Sequence, residues 1–154
     1  MPKFSTERRV NHSATEMFDL VADCEAYPQF LPLCENLVVT GRGEEDGKEV
    51  LIADMTVGYG LVRETFTTRD VLDREALTID MTYLTGPFRH FDSRWTFVPE
   101  GPGACLVRFA IDYEFRSRIL AAVMGAAFDA MFRKSAAAFE ARADKIYRTR
   151  AATA

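Results

Sequence analysis

The sequence predicts an α+β fold in which an antiparallel β-sheet wraps around one long C-terminal α-helix. Three observations lead to this prediction. Apolar residues recur at every second position between residues 34 and 116, which is the period of a half-buried strand. After Ser117 they recur at every third or fourth position, as on a helix. The length of 154 residues suits one domain, so we expect a single folding unit over residues 1–154.

The composition is that of a globular protein with a core of its own. Hydrophobic residues make up 48% of the chain, and twelve of the aromatic residues are Phe. The net charge is −4, which argues against a general DNA- or RNA-binding protein, because such proteins must neutralise phosphates. The three cysteines match no zinc spacing, so we expect no metal. Neither a signal peptide nor a run of ~18 apolar residues is found, which predicts a cytoplasmic protein.

The first part of the chain predicts one strand and two short helical segments. Residues 3–10 form the expected strand. Ser13 and Thr15 are candidate caps for a short helix with apolar residues Met17, Phe18, Val21 and Ala22. In residues 27–32 two prolines prevent a long helix, so we expect a bent helical or turn segment there.

Five later runs alternate with a period of two and predict the antiparallel sheet. They are residues 37–41, 49–59, 77–83, 91–97 and 105–116. Residues 44–47 are expected to form a turn between the first two runs. The last run alternates most regularly, which is typical of a strand with one buried and one wet face.

The C-terminal helix is expected to begin after Ser117 and to lie on the inward face of the sheet. Its predicted apolar stripe consists of Leu120, Val123, Met124, Ala127, Phe128, Met131, Phe139 and Ile146. About thirty residues at ~1.5 Å per residue would give a rod of about 45 Å. The small residues on this helix either allow close packing or leave room for a ligand, and the sequence leaves both open.

Few residues suggest catalysis, since no nucleophile, nucleotide-binding or zinc-protease motif is present. His90 lies near acidic and basic residues, but a solvated strand face is the favoured interpretation. Asp54 has apolar neighbours, and exposure to water is again favoured over a perturbed buried carboxylate. We interpret the cysteines as small buried hydrophobic residues without reactivity.

Two segments carry a resemblance to a known family. Residues 27–34, YPQFLPLC, are similar to a Y-P-x-F-L-P-x-C motif, and Gly86, Pro87 and Phe88 with Trp95 and Phe97 are similar to a G-P-F then W-x-F strand. Gly60, Leu61 and Phe66 fit a glycine-led strand of the same pattern. On these residues the chain resembles the START-like (helix-grip) superfamily, and within it the coenzyme Q-binding proteins. The resemblance spans about residues 4–145.

The resemblance implies a hydrophobic tunnel between sheet and helix that holds ubiquinone or a similar isoprenoid lipid. It implies a non-catalytic carrier or chaperone that supports respiration, with no cofactor, no metal and no catalytic residue. Bacterial relatives are also named ribosome-association toxins, so action on the large ribosomal subunit is the alternative. More distant members are polyketide cyclases. This third choice is disfavoured because the sequence shows no inward pair of acid and base.

The cavity residues are expected to come from the proline-containing segment, the strands and the helix. At least one of Tyr27, Phe30 and Leu31 should cover an apolar opening, because the prolines stiffen that segment. The long helix should supply the facing wall. The full expected set is Tyr27, Phe30, Leu31, Met55, Val57, Phe88, Trp95, Phe109, Ile111, Met124, Phe128 and Met131.

The end of the last helix is rich in cations. These are Arg133, Lys134, Arg142, Lys145, Arg148 and Arg150. They are expected to contact the ribosome, or anionic headgroups if the protein works peripherally at the inner face of a membrane. The alternative is that they only complement the helix dipole in solvent.

Overall fold

One antiparallel sheet forms the main layer of the protein in the computed structural model, which describes the backbone of residues 3–153 and the side chains of residues 3–147. Seven strands are found in this part of the chain: β1 (Lys3–Val10), β2 (Cys34–Glu45), β3 (Lys48–Tyr59), β4 (Val62–Asp73), β5 (Thr78–Thr85), β6 (Phe88–Pro99) and β7 (Cys105–Phe115). Their order is β1-β7-β6-β5-β4-β3-β2. Strand β1 is therefore an edge strand beside β7, and β2 is the opposite edge. The predicted α+β fold is confirmed.

The turn between β2 and β3 is shorter than the sequence predicts. Glu45 pairs with Lys48, and only Asp46 and Gly47 connect the strands. Both connecting residues have positive φ, 52° and 78°. A two-residue turn of this kind matches the twist of the flanking strands, so β2 continues through Glu44 and Glu45.

The inward faces of β6 and β7 follow the predicted alternation. Phe91, Trp95 and Phe97 are buried on β6, and the buried Ser93 lies in the same row. On β7 every second residue from Cys105 to Phe115 is buried. Cross-strand pairing brings Trp95 and Phe109 together with ring centroids 4.3 Å apart. Aromatic pairs of this kind stabilise neighbouring strands.

The alternation of apolar and polar residues does not mark the position of strand β4. Its inward row is Phe66, Thr68, Asp70 and Leu72. Two of these four residues are polar, so the alternation of apolar and polar residues is lost although the strand is regular. Only the resemblance indicated a strand here, through Gly60, Leu61 and Phe66.

Two short helical segments follow β1, as expected. The helix α1 (Ala14–Ala22) is capped by Ser13, whose hydroxyl accepts a hydrogen bond from the Glu16 amide at 3.1 Å. The Glu16 carboxylate accepts from the Ser13 amide at 3.0 Å and completes a capping box. Thr15, the other candidate cap, lies inside the helix. A 3₁₀ helix, Cys24–Gln29, then contains Pro28, in agreement with the predicted bent segment.

The long helix α2 (Arg118–Thr153) has 36 residues and is longer than predicted. The Ser117 hydroxyl accepts from the Leu120 amide at 3.2 Å, so the predicted cap is confirmed. Val123 is exposed and does not belong to the buried stripe. It immediately precedes the buried Met124, and adjacent helical residues point about 100° apart.

The second half of α2 is tied to the N-terminal part of the chain. His12 Nε2 lies 2.7 Å from Asp144 Oδ1. The Tyr147 hydroxyl donates to the Glu16 carbonyl at 3.0 Å. Together these contacts hold the second half of α2 against α1 and the turn that precedes it. Within residues 3–153, no helix combines the length and the hydropathy needed to cross a bilayer.

Candidate functional site

An apolar cavity of about 60 Å³ lies between the sheet, α2 and the 3₁₀ helix. We call residues 24–31, which close one side of it, the cover segment. The walls are mostly aromatic, methionine and aliphatic side chains. The lining residues are Cys24, Tyr27, Leu31, Leu37, Ala53, Met55, Phe66, Thr68, Asp70, Met81, Phe91, Ser93, Trp95, Phe109, Met131, Phe132, Ser135 and Phe139.

Six of the twelve expected cavity residues line this space. They are Tyr27, Leu31, Met55, Trp95, Phe109 and Met131. The other six lie elsewhere, namely Phe30, Val57, Phe88, Ile111, Met124 and Phe128. The cover segment, the sheet and α2 therefore all contribute walls. On α2 the wall is formed mostly by later residues than those expected.

Phe128 lies in a solid aromatic core rather than at the cavity. Its ring centroid is 5.6 Å from that of Phe88, 5.4 Å from that of Phe115 and 5.9 Å from that of Tyr113. Met124, one turn earlier, is fully buried as well. The cavity wall on α2 begins at Met131 and continues to later turns. Helical periodicity shows which face is buried, but it does not show which turns of that face meet empty space.

The remaining three expected residues are packed beside the cavity. Val57 and Ile111 are buried on β3 and β7 without lining it. Phe30 is half-buried, and its ring meets that of Phe139 at 5.1 Å. The Arg142 guanidinium lies over the Phe30 ring, 5.3 Å from the centroid. Phe30 thus forms an outer layer over Phe139.

Tyr27 and Leu31 form the cavity side of the cover segment. The Tyr27 hydroxyl donates to the Val21 carbonyl at 2.5 Å, which anchors the segment to the end of α1. Its ring meets the Phe139 ring edge-on at 5.3 Å. The Tyr27 carbonyl accepts from the Leu31 amide at 2.8 Å and holds the bend.

A small polar group in the cavity was missed by the sequence analysis. Asp70 is only 3% exposed, and its Oδ1 accepts a hydrogen bond from the Thr68 hydroxyl at 2.6 Å. Burial raises the pKa of Asp70 to about 6, because an ionised carboxylate is poorly solvated there. The signal was present in the sequence, since Asp70 has the same parity as Phe66 and Leu72 on its strand.

All three cysteines are buried, in agreement with their interpretation as small buried hydrophobic residues. Cys24 lines the cavity, and burial raises the pKa of its thiol to about 12. Burial likewise raises the pKa values of Cys34 and Cys105 to about 11. The thiol form therefore dominates at neutral pH, and a nucleophilic thiolate is not available. Among the described residues no group of three metal-ligating side chains comes together.

His90 and Asp54 lie on the outer face of the sheet. His90 Nε2 is 3.0 Å from Asp112 Oδ1 on the adjacent strand. Asp54 Oδ1 accepts from the Thr67 hydroxyl at 2.6 Å and is half-buried. Neither residue lines the cavity. The outer strand face expected for His90 is confirmed, whereas Asp54 lies on the outer face but is only partly exposed to water.

Two of the cations expected to form a basic end are engaged within the protein. Arg133 pairs with Asp129 at 2.8 Å and lies over the Phe4 ring at 4.6 Å from its centroid. Arg142 donates to Gln29 Oε1 at 2.7 Å. The side chains of Arg148 and Arg150 lie outside the described residues. The basic surface on the described part of α2 is therefore weaker than the sequence suggests.

Residues 10–140 match the family model described as polyketide cyclase / dehydrase and lipid transport. The chain belongs to this family. The match covers most of the sheet, the cover segment and the cavity side of α2. Membership in the polyketide cyclase and lipid transport family confirms the START-like, helix-grip resemblance.

Two relatives of this chain carry different curated names. The ribosome association toxin RatA of Escherichia coli (strain K12) is 33% identical over 150 residues, covering 97% of this chain and 92% of the relative. The mitochondrial coenzyme Q-binding protein COQ10 of Drosophila melanogaster is 26% identical over 129 residues, covering 82% of this chain and 52% of the relative.

A solved structure with the same architecture is that of the 18 kDa protein CC1736 from Caulobacter crescentus. It superposes with a TM-score of 0.77 at 33% identity, covering 96% of this chain and 99% of that chain. The sheet that wraps around a long C-terminal helix is therefore shared with an experimental structure.

Proposed function

We propose that this protein binds a polyprenyl quinone, ubiquinone or a similar isoprenoid lipid, in the cavity and does not transform it. The observation that carries this proposal is the apolar cavity enclosed by the sheet, α2 and the cover segment. A relative named as a coenzyme Q-binding protein supports the choice of ligand. In this role the protein is a carrier or chaperone that supports respiration.

The cavity walls suit a flat ring attached to a flexible tail. Trp95 and Phe109 provide neighbouring aromatic surfaces, with an interplanar angle of 31°. Met55, Met81 and Met131 are flexible side chains that adapt to branched isoprenoid units. Contacts of this kind are non-directional, so affinity grows with the apolar area removed from water.

An isoprenoid quinone is larger than this cavity, so the cavity must widen to admit it. A space of about 60 Å³ holds only a few water molecules, on a scale where one water needs about 10–15 Å³. The sheet is fixed by its ladders of hydrogen bonds. The cover segment is a short 3₁₀ turn with a bend, so we expect Tyr27 and Leu31 to move when a ligand enters.

The wall chemistry is that of binding rather than catalysis. The described lining contains one carboxyl group, that of Asp70, and no His, Lys or Arg. The only thiol there, that of Cys24, has a raised pKa. The Tyr27 hydroxyl also lines the cavity, but its proton is directed to the Val21 carbonyl and burial raises its pKa well above the usual value. General acid–base catalysis by a pair of groups needs a second group that can exchange a proton near neutral pH. We therefore propose a non-enzymatic role.

The direct test is to find the ligand. Protein purified from a quinone-producing cell is extracted with organic solvent, and the extract is analysed by mass spectrometry. Purified protein is also titrated with a short-chain ubiquinone while the fluorescence of Trp95, the single Trp of the chain, is recorded. We expect bound isoprenoid lipid and saturable quenching.

A pair of substitutions locates the binding site. Ala53 is buried and lines the cavity, so Ala53→Leu should fill it and abolish quenching. Ala110 is exposed on β7, and Ala110→Leu should bind like the original protein. Thermal melts establish that both variants fold. No extracted lipid, together with no saturable quenching of the original protein, would contradict the proposal.

Delivery of such a lipid would require contact with a membrane, and one end of the sheet is suited to it. Leu61, at the tip of the β3–β4 hairpin, is fully exposed, and Ile119, at the start of α2, is 78% exposed. Both lie at the same end of the sheet, because β3 and β7 run in the same direction. Flotation with anionic liposomes should succeed for the original protein and weaken for Leu61→Asp.

A second candidate function is association with the large ribosomal subunit. The observation that favours it is the 33% identity to RatA over 97% of this chain. Sucrose-gradient profiles test it, since co-sedimentation with the large subunit that weakens as salt rises would support it. A ribosome profile unchanged by added protein would leave the carrier role alone.

A further inference from the structure

The cavity contains one strongly polar group with unused hydrogen-bonding capacity. Asp70 lies in the middle of the inward row of β4, with Leu51 of β3 on one side and Met81 of β5 on the other. It is almost fully buried and lines the cavity. Thr68 supplies one hydrogen bond, to Oδ1. Oδ2 has no protein partner among the described residues.

The other hydroxyl groups of the wall do not supply the missing donor. The proton of the Tyr27 hydroxyl goes to the Val21 carbonyl. The Ser135 hydroxyl donates to the Met131 carbonyl at 2.9 Å. The Thr68 proton is already directed to Asp70. These three hydroxyls therefore offer the cavity acceptor lone pairs only.

Ser93 is the one hydroxyl of the described lining without a protein partner. It lies in the same cross-strand row as Asp70, because Met81 pairs with both residues. Two strand spacings of about 4.8 Å separate the backbones of Asp70 and Ser93. Even with this donor, and with the weakly donating thiol of Cys24, acceptors outnumber donors in the cavity.

We propose that Asp70 determines ligand specificity and that the cavity prefers an apolar molecule whose hydroxyl group donates a hydrogen bond to it. For a quinone ligand this is the reduced form, the quinol, because the oxidised ring carries only acceptor oxygens. The inference rests on the proposed function and goes further, since it names the chemical form of the ligand.

The surroundings of Asp70 decide its charge. Cys24 and Tyr27 of the 3₁₀ helix are the titratable groups that interact with it, and no cation of the described residues pairs with it. Because burial raises its pKa to about 6, it is mostly ionised at neutral pH and accepts hydrogen bonds. Below that pKa it is protonated and donates instead, so the preference for the quinol should decline.

Calorimetric titration under anaerobic conditions tests the proposal. The probes are a short-chain ubiquinone and the quinol obtained by reducing it. At pH 7.5 we expect the quinol to bind about tenfold more tightly, since hydrogen bonds to charged groups contribute that much or more. At pH 5 the ratio of the two dissociation constants should move towards one.

Two matched variants assign the effect to Asp70. Asp70→Asn keeps the shape and the Thr68 contact but removes the charge, and it should lose the preference for the quinol. Asp54→Asn is the control, because Asp54 also accepts a 2.6 Å hydrogen bond from a threonine but lies on the outer face. It should keep the preference.

The outcomes separate this inference from the proposed function. Equal affinity for both forms in the original protein, or an unchanged preference in Asp70→Asn, would overturn the role of Asp70 and leave lipid binding intact. If neither form binds at either pH, the proposed function fails and the inference with it. The inference is supported if the original protein and Asp54→Asn both prefer the quinol and Asp70→Asn does not.

Discussion

Tyr27 and Phe139 meet edge-on, with ring centroids 5.3 Å apart, and this contact joins the cover segment to α2 at the side of the cavity. Phe139 also meets Trp95 of β6 at 5.2 Å. One ring of α2 therefore links the cover segment to the sheet. This packing divides the interior into a solid aromatic core around Phe128 and the cavity beside Phe139.

The hydroxyl of Tyr27 should stabilise the cover segment measurably. Tyr27→Phe leaves the buried carbonyl of Val21 without its 2.5 Å hydrogen bond. We expect the free energy of unfolding to fall by about 1–2 kcal/mol, as measured by urea denaturation. Tyr59→Phe is the control, since Tyr59 is half exposed, and it should change stability by less than about 0.5 kcal/mol. Equal effects would contradict the anchoring role of Tyr27.

Truncation on α2 should have different consequences at the solid core and at the cavity. Phe128→Ala removes a fully buried ring from an aromatic cluster and should cost about 3–5 kcal/mol, with little effect on ligand affinity in any variant that remains folded. Met131→Ala, one turn further on, enlarges the cavity and should cost nearer 2 kcal/mol while changing quinone affinity. Denaturation and titration of both variants check this. A change of affinity in Phe128→Ala alone would place the site at the other end of α2.

A glycine is required at position 86 because the backbone there passes too close to Phe66 to carry a side chain. Its φ is 143°, and a Cβ atom there would lie 2.6 Å from Cβ and 2.9 Å from Cα of Phe66. Gly86→Ala should therefore destabilise the protein by at least about 2 kcal/mol, from backbone strain and crowding. Gly43→Ala has open space around its Cβ and should be within about 0.5 kcal/mol of the original protein. Comparable melting temperatures for the two variants would refute the requirement.

The buried Asp70 should make stability depend on pH. Its pKa is raised from 3.8 to about 6 in the folded protein, so the folded state binds more protons than the unfolded state between these values. Its contribution to stability is full below about pH 4 and is lost as the pH rises through about 6. The difference in unfolding free energy between the original protein and Asp70→Asn should thus shift by about 2 kcal/mol from pH 4 to pH 7, in favour of the variant. A constant difference would show that Asp70 is not desolvated.

The sequence anticipates the architecture well where one face of an element is uniformly apolar. Strand β7 and the start of α2 at the Ser117 cap agree with the prediction. The prediction is poorer for β4, because Thr68 and Asp70 are polar residues on its inward face. Half of the twelve expected cavity residues lie outside the cavity for a related reason. Met124 and Phe128 have the same apolar character as Met131 and Phe139, and all four are buried.

The sequence by itself determined the family and the order of the elements, together with the buried face of those elements whose inward side is uniformly apolar, because these depend on motifs and on local periodicity. Only the tertiary structure decided where the interior is empty and which polar group lines the space. A cavity depends on how side chains from β3, β4, β6, α2 and the cover segment fill a shared volume. This filling depends on residues that are distant in the chain, so no local sequence pattern predicts it. The same holds for Asp70, whose environment is set by burial among side chains from other elements.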